Sequence, residues 1–494
     1  MKPLNIMLIV LDATRTDYCS CYGAAQPLTP ALDQLASEGL LFERAYASAP
    51  WTLPAMSSIL TGLYPTQLGV DEKRVLAPAH QTLASRLKEL GYSTFAISKN
   101  SWFSTEFGLP RGFDVFHKLW QLLQTDTDLT EVNLTQTYPS KNLIISAAKG
   151  AMRGNILKNA VNLASRRIKL LNDSDYGARR TLTPVKKWIS AQSGPWFAVV
   201  HYLEAHLEYK PPIEWARRFS DDWPLTQKLL AADQLRLCYR HITGVERLTP
   251  DELHAWRQLY AAEVAYQDSA MGQLLDWLKQ SDHNDDTLII VVADHGESMD
   301  EHGLLAHLYS LHEPLIHVPL VIRGPDVPCG RRTDALVQTQ DIFGTVLAAA
   351  GVAMPTHTHS LLDASAGRRY VIAEYGMPRV PRQELLKRFD LRTEDFAPFL
   401  RGLTAVRTQQ HKLVIGTDNS VQLFDLCSDP AELLDQAAVM PDILAELQSM
   451  HAEWQASVDA SSAGCTADAT SSTVSPPTIA PEVIERLKAL GYLD

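Results

Sequence analysis

The sequence predicts an α/β fold: a doubly wound, mainly parallel sheet with a small C-terminal α+β subdomain. Two observations carry this expectation. Short, continuous apolar runs, of the kind that fill strands buried on both faces, alternate with segments of helical spacing. Two of those runs end on or beside acidic residues, Asp12 and Asp294. Open α/β sheets place their sites there, at the carboxyl ends of strands.

Residues 5–11 read as a buried parallel strand. Residues 29–39 have helical spacing and a glycine stop, and 40–47 are extended. Residues 81–90 form an amphipathic helix closed by Gly91, followed by a strand over 93–98. Strands are expected at 197–202 and 287–293, the latter fed by one long helix over 251–279. Residues 318–322 and 335–350 repeat the strand-then-helix pattern. Two segments break it. Residues 119–190 are polar and rich in Lys and Arg, and read as a helical insertion over the site face. Residues 456–480 are rich in Ser, Ala, Thr and Pro, and read as a flexible linker before a short amphipathic helix, 481–494. The expected organisation is therefore a large α/β domain over 1–370, a subdomain over 371–455, the linker and the terminal helix.

A chain of 494 residues with 46% hydrophobic content can bury a sizeable core. Its net charge of −12 argues against a nucleic-acid binder with a wholly basic surface, and no nucleic-acid partner is expected. The N-terminal apolar run is too short for a signal peptide or a membrane span. Cys19, Cys21, Cys238, Cys329, Cys427 and Cys465 lack metal-type spacing and read as reduced thiols, so a cytoplasmic location is expected. The oligomeric state is left open.

The candidate chemistry comes from distant places. Asp12, directly after the first strand, is placed to hold a cation, although alone it would read as a turn residue. Thr52 begins a helix-compatible run to Thr61, where the positive field of a helix start favours an anionic ester and eases ionisation of a hydroxyl. Asp294-His295-Gly296-Glu297 follows another strand, and an Asp beside a His suits a divalent ion. Found together at strand ends, these features outweigh their separate readings as polar turns.

The stretch from Trp51 to Pro65 resembles the signature of the sulfatase branch of the alkaline phosphatase superfamily. That signature runs Cys or Ser, any residue, Pro, Ser, Arg, three residues, Leu, Thr, Gly. Here Pro54, Leu60, Thr61 and Gly62 match, Thr52 stands at the nucleophile, and Ala55 and Met56 replace the Ser and Arg. The resemblance extends through Asp12, Asp17 and Cys21-Tyr22-Gly23, then Lys99-Asn100 and Arg111-Gly112-Phe113-Asp114. It continues through His201 to His206, Asp294 to His307, and the C-terminal stretch around Ala405 to Asp429.

The resemblance implies a metal-dependent ester hydrolase, and the departures from it bear on the chemistry. In sulfatases the Cys or Ser is oxidised to formylglycine, an aldehyde that threonine cannot give. Ala13 stands where sulfatases often carry a second metal-binding Asp. His295 stands where many carry Asn, and His307 where they place a Lys near the sulfate. Fewer oxygen donors and one imidazole favour Mn²⁺ or Zn²⁺ over Ca²⁺ or Mg²⁺. The implied mechanism is covalent, with Thr52 attacking an anionic phosphodiester or phosphomonoester. Asp12, Thr52, Asp294 and His295 would hold one divalent metal, and His206 or His307 would protonate the leaving alcohol. Lys99, Asn100 and His201 would line the substrate pocket. A second metal on Glu204, His206 and His307 is a further expectation. The alternatives are a sulfate-ester hydrolase without formylglycine, a phosphoryl–alcohol transferase, or a non-catalytic binding protein.

Overall fold

The computed structural model describes residues 3–467 other than 72–73, 122, 125–157, 159–161, 163–176, 364–366, 379 and 382. Its central sheet has nine strands. They are β1 (Asn5–Leu11), β2 (Leu40–Tyr46), β3 (Ser93–Ser98), β4 (Val115–Lys118), β5 (Trp196–Tyr202) and β6 (Thr287–Val292), with β9 (His317–Val318), β10 (Leu320–Arg323) and β11 (Arg331–Gln338). Between β6 and β9 lies a small hairpin of β7 (Ser298–Met299) and β8 (Leu305–Ala306). The order is β11-β2-β10-β6-β1-β5-β3-β4, with β9 on β2.

Every residue of β1, β5 and β6 is buried, as continuous apolar runs in a parallel sheet covered on both faces require. The pairs β6–β1–β5–β3 are all parallel. Their carboxyl ends therefore meet along one edge of the sheet. The long helix Pro250–Lys279 covers one face; Thr249 and Glu252 form its capping box, and Trp256, Tyr260 and Tyr266 lie buried along it.

The structure corrects the expectation for 318–350. β10 runs antiparallel to both β2 and β6. Residues 331–338 are a strand, and the helix begins only at Asp341. The first part of β11 is polar and half-exposed at the sheet edge, so it lacks the apolar run that marks a central strand.

Four strands, β12 (Val371–Tyr375), β13 (Leu403–Arg407), β14 (His411–Gly416) and β15 (Val421–Asp425), form an antiparallel C-terminal sheet. The helix Pro441–Ala467 lays Leu447, Met450, Trp454 and Val458 on Ile372, Val406, Leu413 and Leu423. This helix runs into the segment read as a linker. Burying Trp454 and Val458 stabilises it by roughly 1.5–3 kcal/mol per side chain, and the Ala- and Ser-rich run beyond is compatible with helix. The rest of 456–480 and all of 481–494 lie outside the described residues.

Most of the expected insertion also lies outside them. Its last part, Ala178–Ile189, is a helix packed on β3, β5 and the long helix through Val185 and Ile189. Among the described residues, no helix is long and apolar enough to cross a membrane.

Candidate active site

Asp12 extends the β1–β5 ladder by one residue, its N–H donating to the Tyr202 carbonyl at 3.0 Å. The chain then turns at Ala13, which has a left-handed φ of 54°. The Ala13 N–H donates to Asp294 Oδ1 at 3.4 Å and its carbonyl accepts from the Tyr260 hydroxyl at 2.7 Å. A non-glycine residue held in this region marks a turn that its surroundings over-determine.

Asp294 and His295 follow β6. Gly296 is required there, because a Cβ would lie 2.0 Å from the Pro314 carbonyl oxygen. His295 Nδ1 lies 2.8 Å from the Gly296 carbonyl, which can only accept, so Nδ1 carries the proton. The unprotonated Nε2 then faces Asp12 Oδ1 at 3.4 Å, Asp294 Oδ2 at 3.6 Å and Thr52 Oγ1 at 3.4 Å.

Thr52 is the first residue of the fully buried helix Thr52–Thr61. Gly62 ends that helix with a φ of 73°. Asn100, just past β3, donates through Nδ2 to Asp12 Oδ2 at 2.6 Å and to Thr52 Oγ1 at 3.1 Å. Its amide orientation is set by the Trp102 N–H, which donates to Asn100 Oδ1 at 2.9 Å. One edge of the sheet thus brings Asp12, Thr52, Asn100, Asp294 and His295 together, each nearly or wholly buried.

The other expected residues surround this cluster. His201 is seated behind Asp12, with Nε2 3.3 Å from Asp12 Oδ2 and Nδ1 2.8 Å from Ser98 Oγ. Lys99 is half-buried beside Asn100, its stem near Gly177. The His307 ring lies 4.6 Å from that of His295 and 4.8 Å from that of His206. His307 Nδ1 is 3.0 Å from Glu297 Oε1. The set expected for a second metal does not assemble among the described residues. Glu204 instead accepts the Ala178 N–H at 2.6 Å, and His307 takes Glu297 as its partner.

Electrostatics separates the two aspartates. Burial alone would raise Asp12, but the imidazoles of His201, His206 and His295 around it hold it below the usual carboxylate range. Burial and the negative charge of Asp12 push Asp294 well above that range. Burial, reinforced by repulsion from His307, pushes His295 down to about 3. His206 is likewise lowered by burial, whereas Glu297 outweighs burial at His307 and raises it.

These residues fit a divalent cation. Among the described residues, Asp12 Oδ1 and Asp294 Oδ2 are buried without a hydrogen-bond partner. Asp12, Asp294 and His295 can each offer one ligand atom, all within 4.8 Å of one another. A cation between them would satisfy both oxygens and offset the charge that opposes ionisation of Asp294. A second group, His302, His312 and Glu432, is of another kind. The two rings stack at 3.7 Å, and Lys412 Nζ lies 2.7 Å from Glu432 Oε1, so an ammonium already serves that carboxylate.

No local sequence pattern assigns a role to Glu297, Ser98 or Arg15. Glu297 stood in plain view beside Asp294 and His295, but its partner lies ten residues on, across a hairpin that local pattern did not reveal. Arg15 donates to the Glu297 carbonyl at 3.0 Å and to Glu301 at 2.8 Å, a tie between loops far apart in sequence.

The fold, with its candidate site at the carboxyl edge of the sheet, and a family match define a class: an ester-hydrolysing α/β enzyme of the alkaline phosphatase-like superfamily. The sulfatase family profile matches residues 4–352, more than half of the chain, and the chain belongs to that family. It is 24% identical over 453 residues to the uncharacterized sulfatase YidJ of Escherichia coli, covering 88% of this chain and 83% of that protein. It is 26% identical over 400 residues to an N-acetylglucosamine-6-O-sulfatase of Bacteroides thetaiotaomicron, covering 72% and 69%. Its fold is similar to that of the phosphonate monoester hydrolase of Agrobacterium radiobacter, with a TM-score of 0.67 and 22% identity over 93% of this chain and 96% of that one.

Proposed function

We propose that this protein is a metal-dependent hydrolase that cleaves a phosphodiester or phosphomonoester through a covalent intermediate on Thr52. The observation that carries this reading is the setting of the Thr52 hydroxyl. It sits at the start of a helix, 3.1 Å from the Asn100 amide and 3.4 Å from His295 Nε2, beside two buried carboxylates. A helix start favours an anionic ester and an ionised hydroxyl.

Asp12, Asp294 and His295 would hold one divalent ion beside Thr52, and their mixed carboxylate and imidazole donors suit Mn²⁺ or Zn²⁺ better than Ca²⁺ or Mg²⁺. Such an ion, when bound, lowers the pKa of a neighbouring hydroxyl and polarises an ester oxygen. Asn100 orients Thr52 and Asp12 through one amide group. His201 holds Asp12 from behind, and Lys99 supplies a cation at the same edge of the sheet. His307 or His206 gives a proton to the departing alcohol. Water then releases the product; a second alcohol in its place would make the enzyme a transferase. Five cysteines are unpaired among the described residues, which fits a reducing compartment.

A second reading is hydrolysis of sulfate esters without formylglycine. It is favoured by the sulfatases among the similar proteins, and opposed by Ala55 and Met56, both apolar and fully buried where the signature has Ser and Arg. The test is a panel of p-nitrophenyl sulfate, phosphate, phosphodiester and phosphonate esters, each with Mn²⁺, Zn²⁺, Mg²⁺ and Ca²⁺. The expected order puts a phosphoester first. A sulfate ester turned over faster than every phosphoester would replace the first reading with the second.

A further inference from the structure

We propose that Glu297 is the positioning residue for His307, and that the two form a carboxylate–imidazole pair delivering a proton to the leaving alcohol. The inference rests on the covalent Thr52 reading and adds a residue to it.

The hairpin register sets the pair. β7 and β8 pair Ser298 with Ala306 and Met299 with Leu305, so Glu297 and His307 are the next residues out on the two strands. The Glu297 side chain is wholly buried and that of His307 is 14% exposed, with Glu297 Oε1 3.0 Å from His307 Nδ1. Glu297 Oε2 has no hydrogen-bond partner among the described residues. A carboxylate buried so completely is costly unless it is paired. It is not one of the three side chains that converge on the candidate cation position.

The Glu297 backbone is fixed on both sides. Its carbonyl accepts from Arg15 at 3.0 Å, and its N–H donates to Pro314 at 3.2 Å. With Nδ1 given to Glu297, His307 keeps Nε2 for substrate, and its ring lies among those of His295 and His206. This is the logic of a base held in one tautomer and orientation by a buried acid.

In the forward step the ionised Thr52 oxygen, its proton already released to solvent, forms a bond to phosphorus. The bond from phosphorus to the alcohol oxygen breaks, and that oxygen keeps the electron pair. It takes a proton from His307 Nε2, leaving a neutral ring still hydrogen-bonded to Glu297. In the return step a water oxygen bonds to phosphorus and one water proton goes to Nε2. The Thr52 oxygen departs and regains a proton from solvent.

The experiment is a leaving-group series: aryl esters of the best-turned-over acid class, with phenols of rising pKa. It is run on wild type, Glu297→Gln, His307→Ala and the double variant, with bound metal measured by elemental analysis. His307→Ala should lose roughly 100-fold in kcat/KM on the poorest leaving group and far less on p-nitrophenol. Glu297→Gln should steepen the same dependence, retain wild-type metal, and add little further loss in the double variant. Glu297→Asp keeps the charge but draws it back, and should show a smaller steepening. Equal losses on every ester, losses that multiply in the double variant, or lost metal would each overturn the pairing. Failure of the Thr52 reading is seen separately, as turnover retained by Thr52→Ala.

Discussion

At the residue scale, Thr52 and the cation ligands make separable predictions. Thr52→Ala removes the attacking hydroxyl and should lower kcat by several orders of magnitude, while Thr52→Ser, which keeps it, should retain part of the activity. Steady-state kinetics on the preferred ester checks both, and an Ala variant near wild-type rate would contradict the role. Asp294→Asn and His295→Ala should lose bound metal and activity together. Asp294→Asn should also raise the melting temperature of the metal-free protein, because Asp294 is buried against the negative charge of Asp12. Calorimetry with and without chelator measures this, and a lower metal-free melting point would count against it. Asp12, Thr52, Asp294 and His295 could be proposed from the sequence because each lies at or near the end of a readable element, whereas Asn100 came only from the family resemblance. Glu297 could not, because its role depends on a partner across a hairpin. His201 was legible as a site residue but not in its position, since only the β1–β5 register puts it behind Asp12.

At the element scale, the strands buried on both faces were readable, and β11, whose first part is not, was misread. β1, β5 and β6 announce themselves as apolar runs, but β11 is polar over its first half. The antiparallel sense of β10 follows from no local pattern. The loop after β6 is the element on which the site most depends. Gly296→Ala would set a Cβ 2.0 Å from the Pro314 carbonyl oxygen. The backbone must shift to admit it, so stability should fall by about 2–4 kcal/mol and metal binding should weaken with it. Denaturant unfolding and elemental analysis give both quantities; a variant with unchanged stability and metal content would show that the loop is not held as described.

At the scale of the whole molecule, the C-terminal sheet is tied to the site-bearing domain by buried charges. Lys412 on β14 contacts Glu432 at 2.7 Å and Glu313 at 3.3 Å, and Glu432 lies 3.3 Å from His312. Burial would raise Glu432, but Lys412 and His312 together bring it from 4.5 to about 2. A carboxylate lowered on folding stabilises above its unfolded value, and loses that contribution as pH falls through its folded value. The melting temperature of Glu432→Gln should therefore lie well below wild type at neutral pH. The gap should close as pH falls from about 4.5 to about 2; a gap independent of pH would exclude this linkage. The two-part architecture was visible in the sequence, but this tie was not, since its members lie in separate segments far apart along the chain.

The covalent role of Thr52 is the claim on which the rest turns. Its most direct test is intact-mass measurement, followed by peptide mapping, of the metal-loaded protein quenched during turnover of a slow phosphodiester. A phosphoryl adduct is expected on the peptide carrying Thr52 in wild type, and none in Thr52→Ala. Rapid turnover with no adduct on Thr52 at any quench time, together with an active Thr52→Ala variant, would contradict it.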